Sequence, residues 1–315
     1  MRHRRFAWLY LVAWISVQVS YANIATAQSP DSQSGPGPLQ EVTVTAHKLI
    51  DQTTLYRVII PRFVKSHAAE NPRSRQVGRW TIPAMICPSA EGLQAAAVDY
   101  LSRRILAVAA SVGAPTAKYG HCLTNVEVVF TPNPQEQVAY FGKTYRALLG
   151  NEQQSLKERL TFGHRIRAWY TTGTHTFGGD WSTDSDRTLV NVGGLSDSAS
   201  RLTGHMLTGF VNVLVIVDSR EVAGHSLGQV ADYIAMLVLT RTSVDGCSEL
   251  PSIVDMLSAD CADRAPPDAL TEADISFLKA LYASNLEMNI NVARGEMRDQ
   301  MRKTAEGSVD SRNLH

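Results

Sequence analysis

The chain has 315 residues, 44% of them hydrophobic, with 30 basic and 30 acidic side chains and four cysteines. Balanced charge excludes broad electrostatic attraction for nucleic acid or anionic lipid. The length is enough to bury a substantial core as one large domain or two small ones.

Met1 to Arg5 is basic, the chain is apolar from Phe6 through about Val17, and Ala25-Thr26-Ala27 precedes Gln28. This order of charge, apolar run and small-x-small site is that of a secretory signal peptide. The run is broken by Gln18 and Ser20, which makes it a poor spanning helix, since that needs about 20 apolar residues. Residues 1–27 are therefore expected to be a cleaved export signal, and the mature protein to be periplasmic or secreted. No Cys stands at the cleavage site to make a lipoprotein, and no later segment is apolar enough to span a membrane. Cleavage removes Arg2, Arg4 and Arg5 and no acid, so the 30 basic residues fall to 27 against 30 acidic ones, a formal charge of −3.

Residues 28–40 are rich in Ser, Gln, Gly and Pro and read as a disordered leader. A single α+β domain is expected over 41–290. Its first strand is Glu41 to Thr45, its next Leu55 to Ile60, and Trp80 to Ile86 is extended, with Pro83 favouring an edge. Leu93, Ala97, Leu101, Ile105 and Val108 recur at helical spacing, with Ser89 as the expected N-cap and Gly113-Ala114-Pro115 as the stop. Further on come a strand over Asn125 to Phe130, a helix over about Gln135 to Leu148 and a strand over Ile166 to Thr172. Residues 173–204 are rich in Gly, Ser, Thr and Asp and are expected to be a long loop with one short strand. The strand Asn212 to Val217 reads as buried, and a helix over Leu227 to Leu239 follows. A last helix, capped by Thr271, runs to Tyr282, and residues 291–315 are expected to be a flexible tail.

The four cysteines, Cys87, Cys122, Cys247 and Cys261, allow three pairings. An even count in an oxidising compartment favours disulfides. Cys87–Cys122 and Cys247–Cys261 are preferred because each closes a modest loop, and no C-x-x-C spacing points to zinc.

Gly224-His225-Ser226-Leu227-Gly228 spells the G-x-S-x-G elbow of α/β-hydrolases. The acid and histidine of that chemistry should follow the serine, yet the one histidine after Ser226 is His315. The simpler role for Ser226 is the cap of the next helix.

Leu237 and Leu239, Ser252-Ile253-Val254, Leu270-Thr271, Asp274 and Leu281-Tyr282 fall in an order that resembles the zinc-binding half of matrixin-like metallopeptidases. The resemblance extends to proteobacterial exported proteins of unknown function that keep this scaffold without its histidines. It implies a zincin-like α+β fold: a mixed sheet packed against two or three long helices, with a helix–loop–helix C-terminal part. The ligand positions fall on Ala231, Ala235 and Arg241 and the general base on Asp232, and alanine holds no zinc. No cofactor or metal is expected.

Among other polar groups, His164, His175, His205 and His225 have no metal-ligand spacing. Asp180, Asp184 and Asp186 lack an EF-hand pattern, and Trp169, Tyr170 and Trp181 fit a core as well as a cleft. The expectation is a non-catalytic binding module that takes a peptide, protein or envelope component beside helix 227–239, at Gln229, Asp232 and Tyr233. The alternative is a hydrolase using Ser226 or Asp232.

Overall fold

The computed structural model describes residues 51–70, 76–82, 84–150, 155–175, 181–183, 207–243, 246–285 and 289–312. These fall in one compact unit, Ile50–His315. The expected signal peptide, leader and strand over Glu41 to Thr45 lie outside the described residues, as do His205, Asp180, Asp184 and Asp186.

The described chain opens as a helix where a strand was expected. Asp51 accepts from Thr54 N at 2.9 Å and caps α1 (Gln52–Thr54). A π-turn (Leu55–Ile59) then leads into α2 (Ile60–His67). Leu55 to Ile60 has β-branched content, but the longer pattern decides: Ile59, Ile60, Phe63, Val64 and His67 fall on one helical stripe and are all buried.

The next elements are β1 (Pro88–Glu91), α3 (Ala95–Ser111) and β2 (Val126–Thr131). Ser89 sits in β1 and does not cap α3; the N-cap residue is Gln94, whose side chain makes no capping bond. Gly92 permits the turn out of β1, because a Cβ there would lie 2.0 Å from the Phe130 carbonyl oxygen. α4 (Pro134–Thr144), a 3₁₀ turn (Arg146–Leu149) and α5 (Leu156–Arg159) precede β3 (Ile166–His175), β4 (Trp181–Thr183) and β5 (Leu207–Asp218). Then follow α6 (Leu227–Leu239), 3₁₀ turns at Ile253–Leu257 and Ala259–Cys261, α7 (Glu272–Ala283) and α8 (Ile290–Arg312). The expected flexible tail is thus largely helix. Ile290, Ala293, Met297 and Met301 are buried at helical spacing, and this sparse stripe is enough to dock an otherwise polar segment.

The fold is α+β, with an open mixed sheet in the order β1-β2-β5-β3-β4. β1, β2 and β5 are parallel, and β3 runs antiparallel to both β5 and β4. β5 explains its own unbroken apolar run. Val213, Val215 and Val217 join the main core with α3 and α6, while Leu214 and Ile216 join a second core under α4 with Phe141, Leu149 and Trp169. A strand covered on both faces has no polar parity to display.

α6 is buried at every position from Val230 to Leu239 except Tyr233. Its C-terminal carbonyls, which have no partner inside the helix, receive donors from distant segments. The Tyr170 hydroxyl donates to Leu237 O (2.8 Å) and Thr240 O (3.2 Å), Trp80 Nε1 to Val238 O (2.8 Å) and the Tyr282 hydroxyl to Leu239 O (2.8 Å). Burial raises the phenol pKa of both tyrosines and keeps them protonated donors. Tyr282→Phe leaves Leu239 O bare in the core, and the expected loss, read by urea unfolding, is about 1–3 kcal/mol.

The disulfides are Cys87–Cys122 and Cys247–Cys261, the preferred pairing. They join residues 35 and 14 apart in sequence. Loop-closure entropy assigns each about 3–4 kcal/mol. The Cys87→Ala/Cys122→Ala pair should lower the unfolding free energy by that amount, and thiol titration of the unreduced, denatured protein should find no free thiol.

Candidate functional site

The two residues with a catalytic reading have structural partners. Ser226 Oγ accepts from Gln229 N at 3.2 Å, and Gln229 Oε1 accepts from Ser226 N at 2.9 Å, a reciprocal capping box at the start of α6. Asp232 is 1% exposed and takes a two-pronged ion pair from Arg104 on α3, at 2.5 and 2.8 Å. Its Oδ2 also accepts from Leu270 N at 3.0 Å. A carboxylate with three donors is a tie between α3, α6 and the approach to α7.

A serine, a histidine and an aspartate do meet, at residues no sequence pattern singled out as a set. His67 Nε2 lies 3.2 Å from Ser252 Oγ, which donates to Asp274 Oδ1 at 2.5 Å. Ile253 N and Thr271 N donate to the other carboxylate oxygen, at 2.8 and 2.9 Å. Here the serine stands between histidine and acid, whereas nucleophilic catalysis places the histidine between. All three side chains are fully buried. His67 stacks on Phe63, with ring centroids 3.9 Å apart. The network therefore pins α2, the 252 turn and α7 together.

This network has a pH signature. Burial lowers His67 from 6.5 to about 4, against a smaller opposing effect of the Phe63 carbonyl. The unfolded chain binds the proton more readily, so stability is full above pH 6.5 and is lost as pH falls towards 4. Such a shift corresponds to about 3 kcal/mol. Burial raises Asp274 and works in the opposite sense. His67→Leu keeps Asp274, so chemical denaturation from pH 7 to 4 should show a shallower loss in the variant than in the parent.

The open site lies elsewhere, along β3. Asp218 N donates to Arg165 O at 2.9 Å, and antiparallel alternation then turns the main chain of Arg167, Trp169 and Thr171 to β5. Ile166, Ala168 and Tyr170 turn theirs the other way. β4 covers only Gly173, Thr174 and His175 on that side. Gly150, at φ 81°, closes against Tyr170, where a Cβ would lie 3.0 Å from its carbonyl oxygen. The main chain of Ile166 and Ala168 is left without an edge partner among the described residues.

That edge forms one wall of a cleft of about 800 Å³. The facing wall is α6 at Tyr233 and Leu237, the loop at Arg241 to Ser243, and the turn at Val254 to Ala259. Of the three residues expected to form a groove beside α6, only Tyr233 borders the cleft. Gln229 is held by Ser226 and by Pro267 O at 3.1 Å, and Asp232 by Arg104. Burial, aided by the charge of Asp255, raises the Tyr233 phenol to about 12, so it stays protonated.

The cleft is cationic. Arg165 pairs with Glu221 at 3.2 Å and donates to Leu257 O at 3.0 Å. Arg167 stacks 4.8 Å over Trp169 and donates to the Thr161 and Phe162 carbonyls. His164 also lines it, its pKa lowered by burial and by the charge of Arg167. Arg241 lines the opposite wall, and its guanidinium has no hydrogen bond or ion pair among the described residues. Glu70 is the one acidic side chain among the described lining residues.

His225 lies in the turn before α6, His175 at the end of β3 and Trp181 in β4. Trp169 is core, its Nε1 donating to Arg159 O. The one group of metal-type ligands among the described residues is Cys247, Asp255 and Cys261, and both its sulfurs are in a disulfide. Sequence reasoning missed Arg165 and Arg167. Their spacing of two across the start of β3 was the available signal, but nothing local marks that strand's far edge as open. No family model, curated protein or solved structure matches this chain.

Proposed function

We propose that this is an exported, non-catalytic binding protein that takes an extended peptide segment as an added strand on the free edge of β3. The observation that carries this reading is the main chain of Ile166 and Ala168, without an edge partner among the described residues, beside a cleft of about 800 Å³. An open edge offers alternating donors and acceptors that only another extended chain matches in register. The two disulfides fit folding in an oxidising compartment, and no described helix is long and apolar enough to cross a membrane.

The scaffold is read as a degenerate zincin. Support comes from the order of α6, a Cys-bounded loop, the Ser252 turn and α7, with Asp274 accepting from Ser252 beneath the core. Ala231 and Ala235, both fully buried, stand at ligand positions of the resemblance, and neither offers a donor atom for a metal. The commitments of Ser226 and Asp232 to a cap and an ion pair favour binding over hydrolysis.

The test uses a library of fluorescein-labelled decapeptides and anisotropy with the mature protein. A decapeptide that binds should lose its affinity when the alternate amides facing β3 are N-methylated, and should keep it when the other set is N-methylated. Equal tolerance of both sets, or no binding by any member, would refute strand addition.

A further inference from the structure

The charge distribution around the cleft selects among extended peptides. This step rests on the strand-addition reading and adds a chemical class to it. Three arginines and a histidine line the cleft against one glutamate among the described lining residues. Two of these cations are already engaged: Arg165 with Glu221 and the Leu257 carbonyl, Arg167 with the Thr161 and Phe162 carbonyls and the Trp169 ring. Arg241 differs. It follows α6, its main-chain oxygen accepts from Ala69 N at 2.9 Å, and its guanidinium has no partner among the described residues. Its five donors are therefore unspent among the described residues of a chain segment that lines the cleft.

Arg241 also stands close enough to Tyr170 for its charge to oppose the rise of that phenol's pKa. Tyr170 belongs to the main core with Ile166 and so lies on the α6 side of the sheet, while Arg167 and Trp169 lie on the other. A strand laid on the β3 edge alternates its own side chains between these two sides. Each of its side chains on the α6 side points towards the wall that holds Arg241 and Tyr233.

We infer that the peptide bound on β3 is acidic, with an Asp or Glu side chain on the α6 side forming a two-pronged ion pair with Arg241. Planar guanidinium–carboxylate pairing supplies direction as well as charge. A basic segment meets Arg165, Arg167 and Arg241, while among the described residues Glu70 is the one acid lining the cleft, Glu221 is paired with Arg165 and Asp255 is held by Ser248 N, so the same cleft disfavours it.

Three decapeptides of one alternating Thr/Val frame, carrying Glu, Gln or Lys at the positions facing α6, test this by anisotropy. The Glu peptide should bind about tenfold or more tighter than the Gln peptide, with the Lys peptide weakest. Its advantage should shrink between 50 and 300 mM NaCl, in line with Debye lengths of roughly 14 and 6 Å. Arg241→Gln should bring the Glu peptide down to the affinity of the Gln peptide, and Arg241→Lys should restore part of the difference. Arg302→Gln, on the exposed face of α8, controls for a general loss of charge and should leave the ranking intact. Equal binding of the Glu and Gln peptides overturns the acidic preference and leaves strand addition standing. Binding by none of the three, when no library member binds either, overturns both.

Discussion

The last turn of α6 is the point on which the rest of the molecule depends. A helix buried on nearly all sides ends with carbonyls that water cannot reach, and each one left bare costs on the order of 1–3 kcal/mol. The Leu237, Val238, Leu239 and Thr240 carbonyls are satisfied by Tyr170, Trp80 and Tyr282, from β3, the segment before β1, and α7. Three separate parts of the chain are thereby held at one helix end. Tyr170 does double service, because the same residue that caps α6 sits on the strand whose outer edge opens into the cleft.

The polar residues that look chemical in the sequence serve this packing. Asp232 carries a charge into the core and is stable there because Arg104 and Leu270 N supply three donors. Asp274 is held by Ser252, Ile253 N and Thr271 N, and His67 completes that set from α2. Each network bridges elements far apart in sequence, and each is closed to substrate. Among the described residues, Arg241 and the β3 main chain at Ile166 and Ala168 are instead left without partners beside the cleft.

Much of the local architecture was legible. The α6 boundaries, the Thr271 cap, the buried β5 run and the cysteine pairing rest on short-range chemistry: apolar periodicity, side-chain oxygens three residues before a helical amide, and loop length. Expectations failed where a long-range contact outvoted a local preference. Leu55 to Ile60 is β-branched yet helical, because its stripe docks on the core. Residues 290–312 look too polar to order, yet four buried positions suffice to dock α8. Ser89 has the chemistry of a cap, but β1 forms there by pairing with β2.

By itself, the sequence determined which segments are helix or strand wherever the apolar period is strong, while it left three cysteine pairings open and loop length only favoured the one the fold forms. It also determined that Ala231 and Ala235 offer no metal ligand, since side-chain chemistry does not depend on the fold. Only the tertiary structure decided which strand edge stays open, and which lining cation stays unpaired, among the described residues. The donors to α6 come from residues 158, 67 and 43 positions away in sequence. Strand order and edge exposure likewise arise from pairings between distant segments, for which no local residue pattern is required.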